Sequence, residues 1–596
     1  MLCVKMKNIS NVEIATLLRN VAASYTIKNE KKYRFQIIAY QKAADAVEGS
    51  TAELKDLYQE NKLDQIPGVG PSIQQHLEEL FKTGKVKHFD WVFSDIPHAV
   101  FPLLLVPSFG PKKAYKLVKE FHLRNPETVI SDIEKIAMRG KIRNLEGFGE
   151  KSESDIIRAV SEFRMGSGKT TRMVLPFAYT LAEKIVDYLK KSTHVKEAFP
   201  LGSLRRMKST IGDVDIAVSS NDPQEVIAHF TSYPYIERVI EKGEVGASIL
   251  TSGGKQVDLL IQPPEMFGSL LQHFTGSKHH NVHLREYALK QNMSLSERGI
   301  KQLKTKNKKL ETYKTEESFY HALGMDWIPP ELREDTGEIE VALDHKLPHL
   351  VETKDIKGDL HIHSSFPIEP SHDMGKDSME DMLKKAKELG YEYLGFSEHN
   401  PSISKHKKEQ TTKLLLKRKG KIEEINKKDG VKAISLMETD ILPNGKLALT
   451  DDQLSLLDAT LVSIHSSFSM NKEEMTKRIL SGLSHPKAKI LTHPTGRLLN
   501  ERKGYEIDFD AIFEFCKKHD KAIEINAWPS RLDLPDIMVK QAILRGVKLV
   551  INSDAHAIWQ MDMMKFGVSV ARRGWAEKKN ILNTLGYKEF MKWLKS

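Results

Sequence analysis

The second half of the chain contains seven short apolar segments separated by stretches with amphipathic, helical spacing. From Gly358 onward they read DLHIH, YLGFSEH, VKAISLMETD, ATLVSIHSS, KILTHP, AIEIN and KLVINSDAH. Short apolar strands that alternate with helices form a parallel sheet, which is either open or closed into a barrel. The pattern therefore predicts an α/β fold for the C-terminal part of the chain.

Metal-ligating residue types stand at or just beyond the carboxyl ends of these predicted strands. They are His361, His363, His399, Glu438, His465, His493, Asp554 and His556. Because all strands of a barrel open their carboxyl ends onto one face, ligands that are distant in sequence converge there. Imidazole and carboxylate together suit Mn²⁺, Zn²⁺ or Fe²⁺ better than Mg²⁺. We therefore expect a metal centre at this face.

A second set of carboxylates lies in the first half, in PLGSLRRMKSTIGDVDIAV, residues 200–218. On a strand, Asp213 and Asp215 leave one face while the apolar side chains around them enter the core. Adjacent carboxylates repel unless cations lie between them, and Asp258 in the apolar strand QVDLLI can complete the cluster. Three carboxylates fit two cations, one activating a 3′-hydroxyl and the other holding a triphosphate. The groups suited to the departing pyrophosphate are Gly202, Ser203, Arg205 and Arg206.

One turn pattern occurs three times between apolar, helically spaced segments, as IPGVGPSIQQHL, VPSFGPKKAYKL and LEGFGEKSESDI. Each copy resembles the helix-hairpin-helix motif, in which turn glycines let backbone N–H groups approach a DNA phosphate. A plain corner between two helices is the alternative interpretation of a single copy, and three copies favour DNA. The candidate contacts are Gly68, Gly70, Gly110, Lys112, Lys113, Gly147 and Gly149.

Length and charge limit the remaining choices. The chain has 596 residues, which suggests about four compact units, and a formal net charge of +10 that permits binding to a polyanion. No apolar run approaches the roughly 20 residues that span a bilayer, and the N-terminal twenty residues lack the apolar core of a secretory signal. Two cysteines exclude a disulfide framework. We expect a cytoplasmic protein with no membrane partner.

The order GS-x-RR followed by GD-x-D resembles the nucleotidyltransferase palm of family X DNA polymerases, and residues 267–300 resemble the thumb of that family. The resemblance covers residues 1 to about 335 and implies catalysis by Asp213, Asp215 and Asp258 with two Mg²⁺ or Mn²⁺ ions. The implied dNTP contacts are Gly202, Ser203, Arg206, Gly212, His273, Phe274, Gly276 and Asn281. Arg285 would approach the template minor groove.

The second half, from about residue 340 to 596, resembles the PHP (polymerase and histidinol phosphatase) domain. The HxH pair, the EHN turn, METD, HPTGR and SDAH occur in that order. The resemblance implies a distorted (β/α)7 barrel with up to three ions, Mn²⁺ or Zn²⁺, that hydrolyse a phosphodiester. The ninth ligand of the family is an aspartate after HxH, for which Asp373 is our prediction and His372 an alternative. Arg497 and Arg531 are candidates for phosphate contact.

Together the patterns and the resemblances predict a multidomain α+β and α/β protein. A helical DNA-binding domain, similar to the 8-kDa domain of the family, is expected at residues 1–90, and a fingers-like helical domain at 91–165. The palm is expected at 166–262 and the thumb at 263–335. A linker at 336–356, which is acidic and weakly periodic, precedes the PHP domain at 357–596.

Several positions depart from the family pattern. His76 stands where lyase-active members carry a Schiff-base lysine, and an imidazole cannot form that iminium. We therefore expect lyase activity to be absent or weak. Met207 replaces a glycine, Gln256 an arginine and His273 a tyrosine. These three substitutions leave the carboxylates intact and bear on dNTP affinity and sugar discrimination.

The expected function is template-directed filling of short DNA gaps, combined with PHP-dependent removal of 3′-terminal nucleotides or blocking phosphates during base-excision repair. The expected partners are gapped or primed DNA and dNTPs, and the expected state is a monomer. One alternative is a PHP phosphoesterase whose first half only binds DNA. Another is a scaffold without catalytic activity that is tethered at DNA ends.

Overall fold

The computed structural model describes residues 11–48, 54–59, 62–63, 66, 69–106, 109–164, 172–252, 254–304, 310–428 and 430–596. The chain forms two compact units. Unit 1 comprises Met1–Met173, Ala228–Gly243 and Ala247–Asp258, and unit 2 comprises Val174–Ile227, Glu244–Gly246 and Leu259–Ser596. None of the helices among these described ranges is long and apolar enough to cross a membrane.

The N-terminal part of unit 1 is helical, as its apolar spacing predicts. Its helices are α1 (Asn11–Asn29), α2 (Arg34–Glu48), α3 (Leu54–Gln59), α4 (Pro71–Thr83), α5 (Lys87–Phe93), α6 (Val100–Leu103), α7 (Pro111–Glu120), α8 (Val129–Met138) and α9 (Glu150–Arg164). Leu18 and Leu77 belong to one buried apolar core, and Leu117 and Ile133 to a second. Helices α4 and α7 begin with proline directly after a glycine N-cap, where the missing proline N–H costs no hydrogen bond.

A mixed sheet follows in the predicted palm. Its elements are β1 (Met173–Val174), α10 (Leu175–Leu189), β2 (Glu197–Pro200), α11 (Gly202–Arg205), β3 (Thr210–Ile211), β4 (Val214–Ser219), α12 (Pro223–Phe230), β5 (Ile236–Lys242), β6 (Gly246–Thr251) and β7 (Gln256–Gln262). The order of the five-stranded sheet is β2-β4-β7-β6-β5. Strand β7 passes from unit 1 into unit 2 after Asp258. The strands predicted from alternating apolar residues are confirmed.

The predicted thumb combines helices with a small antiparallel sheet. Its elements are α13 (Phe267–Thr275), α14 (Lys278–Lys290), β8 (Met293–Ser296), β9 (Gly299–Gln302), β10 (Leu310–Glu311), α15 (Glu316–Ala322) and α16 (Glu338–Leu343). Helix α16 lies within the segment predicted to be a linker. Its Ile339 and Ala342 pack in one core with Leu323 and Phe319, because they recur at helical spacing.

The C-terminal part is the predicted parallel α/β fold. Its elements are β11 (Gly358–Ile362), α17 (Met379–Glu388), β12 (Tyr393–Phe396), α18 (Lys408–Asn426), β13 (Lys432–Ser435), β14 (Glu438–Asp440), α19 (Asp451–Leu454), β15 (Thr460–Ser463), α20 (Lys472–Leu483), β16 (Ala488–Leu491), α21 (Phe509–Lys518), β17 (Ala522–Asn526), α22 (Asp536–Arg545), β18 (Lys548–Asn552), α23 (Met564–Arg573) and α24 (Tyr587–Leu594).

The strands of this part close on themselves. They form two parallel sheets, β11-β12-β13 and β14-β15-β16-β17-β18. Isolated parallel bridges join His399 to Glu438 at one seam and Ile362 to Ala555 at the other. Strands β13 and β14 belong to one predicted segment, interrupted only at Leu436 and Met437. The seven predicted strands therefore make a distorted barrel whose carboxyl ends share one face.

Candidate active sites

The predicted metal ligands of the barrel converge around one carboxylate, Glu438, which is almost completely buried. Its Oε2 lies 3.1 Å from His361 Nε2 and 3.0 Å from His399 Nδ1. Its Oε1 lies 3.3 Å from His465 Nε2 and 2.9 Å from His493 Nε2. His361 lies near the carboxyl end of β11, His399, His465 and His493 follow β12, β15 and β16, and Glu438 begins β14 shortly after β13.

Asp554 joins the same cluster from the loop after β18. Its Oδ1 lies 3.4 Å from His361 Nε2 and 3.3 Å from His363 Nε2. The ring of His556 stacks on that of His363 with their centroids 4.0 Å apart. Asp554 has a positive φ of 57°, so the loop bends sharply to return its carboxylate to the site. All eight predicted strand-end residues are brought together.

The donor set of this cluster fits metal ions. Buried nitrogen atoms of His361, His363, His399 and His556 and an oxygen of Glu438 have no hydrogen-bond partner among the described residues. Leaving so many buried polar atoms unsatisfied is costly, and cations coordinated by them would remove that cost. Four groups of three ligand atoms lie close enough together to hold an ion. They are His361–His363–Asp554, His363–His399–His556, His399–Glu438–His465 and His372–Asp440–His465.

The ionisation of the cluster follows from its crowding. Burial favours the neutral carboxyl form of Glu438, but His361, His399 and His465 hold its pKa well below the ordinary value. Burial lowers the pKa of His363 well below its ordinary value, assisted by the neighbouring His556. Burial lowers the pKa of His361 and of His465, but the surrounding carboxylates raise it, well above the ordinary value for His361 and to about 9 for His465. Metal binding at these two imidazoles would release their protons.

Two outer carboxylates orient ligands and were not predicted from the sequence. Glu524 Oε1 lies 2.7 Å from His361 Nδ1, and Asp440 Oδ1 lies 2.7 Å from His465 Nδ1. A carboxylate on one imidazole nitrogen fixes the ring and leaves the other nitrogen free for metal. The signal in the sequence was the acidic residue inside the apolar strand AIEIN, which a buried strand does not otherwise need.

Asp373 is exposed, and among the described residues it belongs to none of the metal-capable groups and has no hydrogen bond or ion pair. Its neighbour His372 does belong to one. Arg531 Nε lies 3.7 Å from the carboxylate of Asp554, so it faces the cluster. Arg497 is engaged elsewhere, donating to the backbone carbonyls of Arg531 and Leu532.

In the palm, Val214 and Ile216 are fully buried on β4, whereas Asp215 is half-buried and Asp213 exposed. This is the alternation predicted for the segment. Gly202 approaches Asp215 closely, since a Cβ built on the glycine would lie 3.2 Å from Asp215 Oδ2. Its φ of 58° also favours glycine. The predicted close-approach role of Gly202 thus has a structural reason.

Asp258 is held by its neighbours on the sheet. Ser248 Oγ donates to its Oδ1, and Gln256 Nε2 lies 3.0 Å and 3.1 Å from its two oxygens. Gln256 therefore contacts the carboxylate from the position where the family carries an arginine, with an amide in place of a charge. The strand order places β7, which carries Asp258, beside β4.

The paired arginines after Ser203 are both engaged by carboxylates of the thumb. Arg205 makes two hydrogen bonds to Glu316, at 2.9 Å and 2.6 Å, and Glu316 also accepts from the buried Arg333 at 2.6 Å. Burial favours the neutral form of Glu316, but Arg333 and Arg205 lower its pKa to about 2. This buried cluster ties α11 to α15.

Arg206 is linked to the C-terminal barrel. Its Nε donates to Glu334 at 2.9 Å, and its Nη1 donates to the backbone carbonyl of Thr275. Arg573, at the end of α23, donates to the backbone carbonyl of Arg206 at 2.6 Å and pairs with Glu334 at 3.1 Å. Its other nitrogens pair with Asp536 at 2.6 Å and 2.8 Å.

The remaining thumb residues lie on α13 and α14. Asn281 donates to the carbonyl of His273 at 2.7 Å, and Arg285 Nη2 lies 3.4 Å from His273 Nδ1. Burial, with Arg285 beside it, lowers the pKa of His273. Phe274 is 37% exposed. Gly276 has a φ of 71° next to the Arg206 guanidinium, so the turn has no room for a side chain.

The second and third hairpins of unit 1 line a cavity of about 350 Å³. Its lining residues are Lys112, Lys113, Lys116, Glu146, Gly147, Phe148 and Ser152. Gly70 and Gly110 are N-caps with extended backbone, and Gly147 has a φ of 80°. Gly149 directly precedes α9, and Gly68 lies outside the described residues. Lysines around helix N-termini form a surface suited to phosphates.

Three family models match this chain: a helix-hairpin-helix domain over residues 9–86, the DNA polymerase beta thumb over 270–334, and the PHP domain over 359–527. The DNA polymerase/3′-5′ exonuclease PolX of Bacillus subtilis is 34% identical over 587 residues, covering 98% of this chain and 99% of that protein. The chain belongs to the PHP-containing family X DNA polymerases.

Other relatives are similar to parts of this family X polymerase. DNA polymerase lambda of Rattus norvegicus is 23% identical over 311 residues, covering 49% of this chain and 49% of that protein. A probable phosphatase of Thermoanaerobacter sp. is 27% identical over 166 residues, covering 26% of this chain and 65% of that protein.

The position of the lyase lysine in this family X polymerase is filled by aromatic packing. His76 Nδ1 lies 2.7 Å from the hydroxyl of Tyr40, and the ring of His76 stacks on that of His88 with centroids 5.0 Å apart. Burial and His88 lower the pKa of His76. A neutral, stacked imidazole offers no amine for a Schiff base, in line with the prediction of weak or absent lyase activity.

Proposed function

We propose that this family X polymerase fills short gaps in DNA with the carboxylates Asp213, Asp215 and Asp258. We further propose that it removes nucleotides from 3′ ends at the strand-end residues gathered around Glu438 and Asp554, called the PHP cluster below. The observation that carries the proposal is the likeness to PolX along the whole chain, and the metal-capable groups of the barrel support it. The likeness to PolX favours a polymerase over both alternatives. One was a phosphoesterase whose first half only binds DNA, and the other a scaffold without catalytic activity.

In the palm, the chain's own residues position the reactants. Asp213 directly precedes β4, Asp215 lies on β4, and Asp258 lies on β7. When bound there, two Mg²⁺ or Mn²⁺ ions supply activation of the primer 3′-hydroxyl and stabilise the triphosphate charge. Gly202 and Ser203 bring backbone and hydroxyl donors close to the phosphates.

Arg206 is the cation we assign to the triphosphate. In the structure its guanidinium is paired with Glu334, and the incoming phosphate would replace that carboxylate. Arg573 would remain beside Glu334 when Arg206 turns away, so the half-buried carboxylate would keep a partner. On the thumb, His273, Phe274, Gly276 and Asn281 would contact the sugar and base, and Arg285 the template.

At the PHP cluster we propose hydrolysis of the 3′-terminal phosphodiester. Up to three Mn²⁺ or Zn²⁺ ions held by the strand-end residues supply activation of water and charge stabilisation at the phosphoryl group. Glu438 and Asp554 contribute the fixed negative charge, and Glu524 holds His361 in its ligating orientation. Arg531, at the edge of the cluster, would pair with the substrate phosphate.

The proposed substrate is gapped or primed DNA, which both activities would process in base-excision or gap repair. The lysine-lined cavity between the second and third hairpins supports phosphate binding on the DNA backbone. We further propose that the protein acts as a cytoplasmic monomer, consistent with the buried free thiol of Cys516.

The test is a gapped-duplex assay with a 5′-labelled primer, dNTPs and Mg²⁺ or Mn²⁺. The double variant Asp213→Ala plus Asp215→Ala should lose extension and keep shortening, and His361→Ala plus His363→Ala should do the reverse. Asp344→Ala, at an exposed ion pair outside both sites, is the control and should behave as wild type. A wild type that only shortens the primer would contradict the polymerase proposal.

A further inference from the structure

The loop between β11 and α17 carries a histidine to the PHP cluster where the family resemblance leads one to expect an aspartate. His372 Nε2 lies 3.3 Å from Asp440 Oδ1. The centroid of its ring is 4.4 Å from that of His465 and 5.0 Å from that of His399. His372 is therefore in contact with two residues of the cluster, although it is 11 positions after His361 in a chain segment without regular structure.

Neighbouring contacts fix this part of the loop. Ser371 donates its N–H to the carbonyl of Asn400 at 2.8 Å and its hydroxyl to Asp440 Oδ2 at 3.2 Å. Pro370 forms an isolated bridge with Pro401. On the other side, Gly375 packs so closely on the backbone of His363 that a Cβ there would lie 1.8 Å from its carbonyl oxygen. The loop is thus anchored on both sides of residues 372 and 373.

Asp440 is the residue that joins His372 to the cluster. Its Oδ1 contacts His465 Nδ1 at 2.7 Å and His372 Nε2 at 3.3 Å. The other nitrogen of His465 faces Glu438 at 3.3 Å, inside the cluster. One carboxylate therefore orients two imidazoles, each of which keeps a second nitrogen for a metal ion. His372 and Asp373 are both exposed, His372 with 35% of its side chain, but Asp373 has no hydrogen bond or ion pair among the described residues.

We propose that His372, positioned by Asp440, supplies the ninth ligand of the PHP cluster in place of Asp373. The inference rests on the proposed function of that cluster as a metal centre. Exchanging a carboxylate for a neutral imidazole removes one negative charge from the ligand set. The ion at this position would accordingly be Zn²⁺, Fe²⁺ or Mn²⁺ in preference to Mg²⁺, because imidazole favours the transition metals.

The experiment counts metal ions on the full chain, independently of any activity. Wild type and variants are saturated with Mn²⁺ or, separately, Zn²⁺, freed of excess ion and analysed by elemental mass spectrometry together with protein concentration. His372→Ala should bind about one ion fewer per chain than wild type. The matched control, Asp373→Asn, should bind as many ions as wild type. Asp440→Asn should keep the full number at saturation with roughly 10- to 100-fold weaker affinity, as expected for an outer partner.

The opposite pattern overturns the proposal: loss of an ion in Asp373→Asn with full occupancy in His372→Ala. Equal ion numbers in wild type and all variants would overturn it as well. Circular dichroism and thermal unfolding of each variant identify a folding defect, and His372→Asp, which restores a ligating side chain, should recover the lost ion if His372 is a ligand. Full ion binding by a wild type that does not shorten primers would refute the nuclease proposal and leave the ligand assignment standing.

Discussion

At the scale of single residues, the chemistry of this protein depends on buried carboxylates that several cations or imidazoles share. Glu438 contacts five histidines, and Glu316 is enclosed by Arg205 and Arg333. Burial alone would neutralise either acid, so each is kept ionised by its partners. Removing one member of such a group leaves the others buried with uncompensated charge.

Glu316→Gln should therefore lower the free energy of unfolding of the palm and thumb by about 3–5 kcal/mol. The effect should depend on pH. The folded-state pKa of Glu316 is about 2 against an ordinary value of 4.5, so its contribution is complete above pH 4.5 and is lost as pH falls toward 2. Denaturant unfolding at pH 7 and pH 3 measures both. Equal destabilisation by the mutation at the two pH values would contradict this account.

Residue types in strand-end positions predicted which side chains meet in the barrel cluster, because histidines and acids recur at that position in one strand after another. The outer partners were not predictable in the same way. Glu524 is 163 residues from His361, and only the closed barrel brings them together. The choice between His372 and Asp373 depends on the path of a loop, which strand and helix periodicity does not determine.

At the scale of elements, the amphipathic patterns predicted the helices of unit 1, the palm strands and the barrel strands. Helix α16 is not predicted from the sequence, since the segment 336–356 contains Gly337 and five acidic residues that weaken its apolar periodicity. The recurring turn pattern was more informative, since in two of its copies a helix, α4 or α7, begins at the proline directly after a glycine N-cap.

Helix α7 leads to a prediction on DNA affinity. Lys113 lies over the ring of Phe109 and lines the hairpin cavity, whereas Lys112 is paired with Glu30 at 2.6 Å. Lys113→Gln should weaken binding to gapped DNA of any sequence and reduce the slope of log K against log salt by about 0.9, the value for one phosphate contact. Fluorescence anisotropy over a salt series measures this slope.

Lys354→Gln is the control for that measurement, because Lys354 is exposed and paired with Glu352 outside the hairpins. It should leave affinity and slope as in wild type. An unchanged slope for Lys113→Gln would show that this lysine does not contact phosphate.

At the scale of unit 2, α23 connects the barrel to the palm and the thumb. Arg573 is 3% exposed and contacts Arg206, Glu334 and Asp536. About two turns earlier on α23, Lys565 lies over the ring of Tyr179 on α10 with its Nζ 4.4 Å from the centroid. The arginine assigned to the triphosphate is therefore held in part by the PHP domain.

Arg573→Met should destabilise the palm by about 3–5 kcal/mol, since Glu334 and Asp536 lose a buried partner. The substitution should also raise the KM for dNTP in gap filling. Arg206 loses the contact of its backbone carbonyl with Arg573, and Glu334, left with fewer partners, holds the Arg206 guanidinium more strongly. Thermal unfolding and steady-state kinetics measure the two effects, with Lys579→Met, 74% exposed, as the control. A normal KM in a folded variant would mean that Arg573 acts on stability alone.

Arg573 also limits which recombination events between related genes can give a stable protein. Consider a recombinant that joins a polymerase half and a PHP half from two different ancestors. The PHP half would supply Arg573, and the polymerase half would have to supply its acceptors, the carbonyl of Arg206 and the carboxylate of Glu334. Unless both sides matched, the recombinant would bury a charge without a partner. Positions 206, 334, 536 and 573 should therefore be inherited as a set, and the gene should resist exchange of its two parts.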